Sequence, residues 1–142
     1  MEWQGALRAR LIAAAPVAAL LPDYIPQGQT TPTKPVFWVD RPQASKLPAI
    51  TLQTITEERP QTMAGFDGLD RSMVQMDVWG TSYAQVQQVK EAALAAVIGE
   101  NNANGVRFSR AFIDSIRDLG EQLETQFIHR ASIDLIFHHA TA

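Results

Sequence analysis

Cysteine is absent from this 142-residue chain. That excludes a disulfide framework, a thiolate nucleophile and a cysteine-ligated zinc. Histidine is scarce, with three residues: His129, His138 and His139. Adjacent strand residues point to opposite faces, so His138 and His139 do not share a metal from one strand. His129 and His139 share a face but stand roughly 33 Å apart at the strand rise. Zinc ligands lie about 2.1 Å from their ion, so the histidines read as surface or interface polar groups. Positive charge is also limited: 12 basic against 15 acidic residues give a net charge of −3. No basic stripe interleaves with aromatics, which argues against broad phosphate binding and sequence-specific nucleic-acid recognition. Long apolar runs are missing too. The most apolar stretch, Leu11–Leu21, is short and holds Pro16, so no membrane span is expected. Glu2 stands where a secretory leader carries positive charge, so this stretch reads as part of the fold. No nucleophile elbow, phosphate loop or dinucleotide fingerprint occurs. Gly65–Gly68 is glycine-rich but precedes a strand, unlike a phosphate cradle. Glu57, Asp67 and Asp70 lack cation-site spacing. No catalytic residue, cofactor or metal follows from the sequence.

What is present is ordinary globular material, 46% hydrophobic and 19% charged, which suits one domain spanning residues 1–142. The chain is organised around Arg71–Gly99. Val74, Met76 and Val78 alternate with Gln75 and Asp77, the period of a strand with one face in a core. Met73 and Trp79 share the polar parity, so the second face is not purely solvent-like. Gly80 ends the strand, and Thr81 or Ser82 supplies a helix N-cap. A helix follows over Tyr83–Ile98, with Tyr83, Val86, Lys90, Ala93, Leu94 and Val97 on one stripe. Gly99 is expected as its left-handed cap.

Around that unit, residues 2–15 form a first helix, and Pro16 introduces a kink or a second short helix through Leu20 or Leu21. Residues 22–35 are connection, with Tyr24-Ile25 as a candidate very short strand. Val36–Val39 is apolar on both parities and reads as a short strand. Residues 40–47 are loop. Pro48 opens a strand over Ala49–Glu57, in which Ile55 breaks the alternation as a bulge would. Residues 58–70 form a long, turn-rich loop carrying Met63, Phe66 and Leu69. Loops this long with apolar cargo are more often functional than average. Glu100–Gly105 is a turn, Val106–Arg117 a strand, Asp118–Glu124 a turn, and Thr125–His139 the longest strand. Phe127, Ala131, Ile133, Leu135 and Phe137 lie on one face of it. The expected fold is α+β: a mainly antiparallel sheet of about four to five strands with two main helices packed on one face.

Several blocks resemble one family. They are Leu7–Gly28 (LRARLIAAAPVAALLPDYIPQG), Pro48–Thr56 (PAITLQTIT), Gly68-Leu69, Val74–Trp79 (VQMDVW), Tyr83 with its alanine- and valine-rich helix, and His129–Phe137. Their order along nearly the whole chain is similar to the tail-completion, or tail-terminator, proteins of long-tailed bacteriophages and prophages. The chain departs from that pattern at residues 29–47, where it is longer. The resemblance implies a non-enzymatic virion protein found in the tail, and in the bacterial cytoplasm during assembly. It implies a hexameric ring that ends the tail tube, contacting itself, the tube protein and a head-neck connector. Alternatives are another neck or minor tail protein of the same fold, or an unrelated small-ligand-binding module. A ring needs two different patches per subunit. Met63, Phe66, Leu69, Met73 and Trp79 are the candidate interface residues.

Overall fold

The longest strand is the axis of the molecule. The computed structural model describes residues 3–26, 28–39, 47–63, 65–66, 69–122 and 127–141. In chain order the elements are α1 (Trp3–Ala13), α2 (Ala15–Leu20), β1 (Val36–Trp38), β2 (Ala49–Glu58), β3 (Gln61–Thr62) and β4 (Gly65–Phe66). Then come β5 (Asp70–Gly80), α3 (Tyr83–Ile98), β6 (Asn101–Ala103), β7 (Val106–Phe108), β8 (Phe112–Gln122) and β9 (Phe127–Thr141). Seven strands form one sheet, in the order β1-β2-β5-β9-β7-β6, with β8 also paired to β9. β5 occupies one edge of β9 in full register from Gly80↔His129 to Asp70↔His139. Its other edge is shared: β8 pairs along Phe127–Ile136 and β7 along His139–Thr141. β3 and β4 form a separate two-stranded ribbon.

This corrects the expected α+β layout of four to five mainly antiparallel strands under two helices. The sheet is mixed, has seven strands and dominates the fold. Three local reasons account for the difference. β1 joins β2 in parallel, Val36 opposite Ile50, and alternation carries no information about strand direction. The Glu100–Gly105 turn holds a strand of its own. Asn104 (φ 49°) and Gly105 (φ 82°) make a two-residue loop between paired Ala103 and Val106, the positive-φ geometry that suits a twisted hairpin. The expected strand Val106–Arg117 is two strands. Between them the chain turns aside: the Ser109 amide donates to the His138 carbonyl (2.9 Å) and the Ala111 amide to the Ile98 carbonyl (2.8 Å). The expected turn from Asp118 is strand as far as Gln122, and residues 123–126 lie outside those described. So do residues 40–46 of the expected loop before β2.

Other local readings hold or shift by a residue. Ser82 caps α3, its Oγ accepting from the Gln85 amide at 3.2 Å. A Cβ on Gly80 would meet the Val86 side chain at 2.8 Å, so any larger residue at the strand-to-helix break would have to displace Val86. Gly99 is extended (φ −75°, ψ 167°) rather than left-handed. Its carbonyl accepts instead from Arg10 Nη2. The β2–β5 register shifts between Thr54 and Thr56, which puts the bulge at Ile55. Tyr24 makes an isolated bridge to Thr33, with no longer strand there among the described residues.

One core results. Ile50, Leu52, Val74, Met76, Val78, Ala131, Ile133, Leu135 and Phe137 of the sheet meet Leu7, Leu11 and Val17 of the first two helices. Val86, Val89, Ala93 and Val97 of α3 complete it. Val86, Lys90, Ala93, Leu94 and Val97 are buried as expected, Val89 joins them, and Tyr83, 56% exposed, lies off the stripe. All three helices thereby serve one face of the sheet, and among the described residues no helix covers the other.

Candidate interaction surfaces

The helix-free face is a four-strand array whose cross-strand register sets its chemistry. Reading across β2, β5, β9 and β8, the first row is Thr56, Met73, Ile136 and Phe112. The second is Gln53, Gln75, Asp134 and Ser115. The third is Thr51, Asp77, Ser132 and Arg117. The last is Ala49, Trp79, Arg130 and Leu119. Two polar rows thus lie between one that carries Met73, Ile136 and Phe112 and one in which Trp79 and Leu119 flank Arg130. Neighbours on one sheet face lie within side-chain reach, and the polar rows use it. Arg117 Nη1 donates to Asp134 Oδ2 (3.0 Å) and Ser115 Oγ (2.9 Å), and Nη2 donates to Ser132 Oγ (3.1 Å). These bonds, first the one from Arg117, hold the Asp134 carboxyl below the usual carboxylate range. Gln75 Nε2 donates to both carboxylate oxygens of Asp77 at 3.2 Å. The network fixes the band internally and offers no activated nucleophile.

Of the five candidate residues, Trp79 and Met73 lie on this face. Both are half-buried, six residues apart on β5, or roughly 20 Å at the strand rise. Trp79 Nε1 donates to Thr51 Oγ1 (2.9 Å), and the Arg130 guanidinium lies over its ring at 4.9 Å. Met63 and Leu69 sit instead around the ribbon beyond the far end of β5. Met63 is fully exposed and Leu69 is 42% exposed. Phe66 pairs with Gln61 within the ribbon, and its side chain lies outside what is described, as do Asp67 and Gly68. Met63 and Leu69 are thus exposed beside the ribbon, while Met73 and Trp79 hold separate positions on β5.

An additional surface is not evident from sequence pattern. β8 has no buried residue, and Phe112, Ile113, Ile116 and Leu119 on it are 39–57% exposed. Its second edge pairs with nothing among the described residues. A long, exposed apolar edge is a pairing template unless covered. The one available signal is the occurrence of apolar residues on both parities of residues 106–117, which does not suit a simple core strand.

The histidines divide. His139 is buried, contrary to the surface role expected of all three. Its Nε2 lies 2.9 Å from Ser72 Oγ, its ring stacks on Trp3 (centroids 4.6 Å), and Nδ1 is 3.8 Å from Asp70 Oδ2. Burial lowers its pKa, and the opposing pull of Asp70 is weaker. Ser72 is wholly buried and His139 nearly so, while Asp70 keeps 18% of its side chain exposed, so the Ser72 hydroxyl is closed to solvent and the grouping ties β5 to β9. Among the described residues no three metal-ligating side chains converge, and no helix is long and apolar enough to cross a membrane.

Comparison with known proteins supplies the family. No curated protein matches the chain. Among solved structures, a chain of the virion of a native gene transfer agent particle shares the fold. It superposes with a TM-score of 0.62 at 15% identity, over 96% of this chain and 93% of that one. The family described as tail completion protein gp17 matches residues 5–137. That match spans the opening helix, both long strand pairs and α3, so the chain belongs to the family of phage tail-completion proteins, structural components of the virion tail.

Proposed function

We propose that this tail-completion protein acts as a terminator: subunits close into a sixfold ring on the head-proximal end of the tail tube, stop its growth and present a surface to the neck. The observation that carries this reading is the placement of two unlike, uncovered patches at opposite ends of β9. The β3–β4 ribbon, with exposed Met63 and Leu69 beside it, follows β2 and precedes Asp70, which pairs with His139. The β8–β9 hairpin ends at Gln122↔Phe127. Unlike patches on different sides of a subunit suit a head-to-tail contact, and such contacts close rings when the rotation permits. The tube protein, the neck connector and the subunit itself are the partners this role requires. The net charge of −3 suits a passage through which DNA moves without adhering.

The test is assembly. Purified protein is mixed with polymerising tube protein and imaged by negative stain, with light scattering on the free protein. Capped tubes of limited length, and ring particles near six times 15.7 kDa, are expected. Tubes that grow unchanged in a large excess of this protein overturn the terminator role.

A further inference from the structure

β8 carries the longest strand edge left unpaired among the described residues, and both of its faces hold exposed apolar side chains. Its register with β9 sorts them. Ile113 and Ile116 stand opposite Leu135 and Ile133 and so lie on the helix side. Phe112 and Leu119 stand opposite Ile136 and Arg130 and so lie on the helix-free side. An occupant resting on one face would leave the other in water. A strand added to the edge continues both faces at once and takes up the open backbone groups. The other strand edges of this chain fit β8 poorly. β1 and β6 are three residues long, and β1 is already occupied at its edge, the Val36 carbonyl accepting from Arg8 Nε (2.7 Å). The part of β2 beyond β1 carries Glu57, Glu58 and the bulge at Ile55. It is mismatched to a strand that exposes Asp114, Asp118 and Glu121, because like charges opposite each other destabilise a pair.

We infer that the occupant is the same strand of a second copy: β8 pairs antiparallel with β8 about a two-fold axis at Ile116. Complementarity selects this register. The β8–β9 register shifts between Ile113 and Ser115, so Asp114 is the bulged residue and is skipped in counting positions. Ile116 then faces its own copy, Arg117 faces Ser115, and Leu119 faces Phe112. Glu121 comes beside Arg110, and both are exposed, so the ends of the contact bring opposite charges together. Asp118 falls opposite Ile113 and keeps its bond from Gln87 (3.4 Å). The axis is normal to the sheet, so the isoleucines of both copies gather on the helix side and the Leu119 and Phe112 pairs on the other. Neighbouring registers are worse. Centring the axis on Arg117 would oppose two arginines, and centring it on Ser115 would set Leu119 against Arg110. Such an isologous contact makes a closed pair. The ring reading above places one of its patches on the β8–β9 hairpin, and the consequence drawn here rests on that reading: dimer and ring compete for β8, so the dimer is a reserve form that opens before a ring closes.

The absence of cysteine makes a direct test clean. An Ile116→Cys chain, altered at a 44%-exposed position, is oxidised mildly and scored for a disulfide-linked dimer. Residues that face each other across antiparallel strands have Cα atoms about 4.5–5.5 Å apart, within the span a disulfide bridges. Leu119→Cys is the control, because the same register leaves residue 119 about 20 Å from its own copy. Linking by Ile116→Cys should exceed linking by Leu119→Cys on the order of tenfold, and mixing Leu119→Cys with Phe112→Cys should restore it. Equal yields from the two single variants overturn the contact, as does wild-type protein that scatters as a monomer at every concentration. The linked Ile116→Cys dimer is then added to polymerising tube protein. Tubes should grow uncapped until reductant frees the strand. Capping by the linked dimer overturns the competition between dimer and ring. Failure of wild-type protein to cap tubes would instead defeat the ring reading, and the cross-link would leave the β8 contact standing.

Discussion

β5 and β8 are each eleven residues long and both run antiparallel to β9, on its opposite edges. Their fates differ completely. Val74, Met76 and Val78 of β5 are wholly buried, whereas Ile113 and Ile116 of β8 are each 44% exposed. Those two isoleucines are in register with Leu135 and Ile133, residues of the core face. They point toward the helix layer but are not covered by it. α3 packs on β5 and β9, and it reaches β8 through the Gln87–Asp118 hydrogen bond. β5 is also paired on both edges, with β2 and β9. The contrast teaches that apolar content and strand pattern do not decide burial; the reach of the covering helix does. An apolar strand left outside that reach is available to something other than the monomer's core.

The largest effect is expected from opening a cavity under β5. Met76→Ala should cost about 2–5 kcal/mol, since the removed atoms leave a void among wholly buried neighbours. Ile116→Ala should cost less than about 1 kcal/mol, because an exposed side chain loses little on truncation. Denaturant unfolding of both variants, below the concentration at which subunits associate, checks the pair. Equal losses would mean that β8 is covered in the free monomer, and the contrast would collapse.

Much of β5 is legible in the amino-acid order alone. Alternation from Val74 to Val78, Gly80, the Ser82 cap and most of the α3 stripe follow from spacing and propensity, which are local. The long strand β9 is legible for the same reason. β6 is hidden because a three-residue strand of Asn101, Asn102 and Ala103 has no apolar pattern; the Asn104-Gly105 turn is its only mark. The parallel direction of β1 and the sharing of one β9 edge by β7 and β8 depend on long-range pairing, to which periodicity is blind. For the candidate surfaces, Met63 and Leu69 are legible as apolar cargo in a loop. Away from those surfaces, the burial of Arg10 is not legible, because its spacing on α1 resembles that of a solvated arginine; it is created by Phe108 and Gly99, about ninety residues away in the chain.

The two sides of β9 should also separate on titration. On the β5 side, burial lowers the pKa of His139 below its ordinary 6.5. The unfolded chain then binds the proton more readily, so the contribution of His139 to stability is full above pH 6.5. It is lost as pH falls through that value toward the folded pKa. On the β8 side, Arg117 lowers Asp134 below its ordinary 3.8. That contribution is full above 3.8 and fades only below it. Wild-type stability measured from pH 8 to pH 3 should therefore show two separate declines. His139→Gln should remove the upper one and keep the lower, and Asp134→Asn should do the reverse. A single decline that neither variant alters would show that neither group is coupled to folding.

The smallest effect on the monomer should accompany a clear effect on assembly. Ile116→Lys replaces a 44%-exposed side chain with one that keeps its charged end in water, so monomer stability should change by no more than about 0.5 kcal/mol. Edge strands avoid unwanted pairing by carrying such charges, lysine above all. If β8 is the surface that a neighbouring subunit covers, the same change should raise the concentration at which scattering detects association, with far-UV dichroism unchanged. Ile25→Lys is the matched control, because Ile25 is more exposed, at 56%, and lies in the connection before β1, away from β8. Equal effects of the two lysines on association would mean that exposure alone, not membership of the open edge, governs assembly. A selective effect of Ile116→Lys would assign the open edge of β8 to the subunit contact, while the fully paired β5 remains the part that folds the monomer.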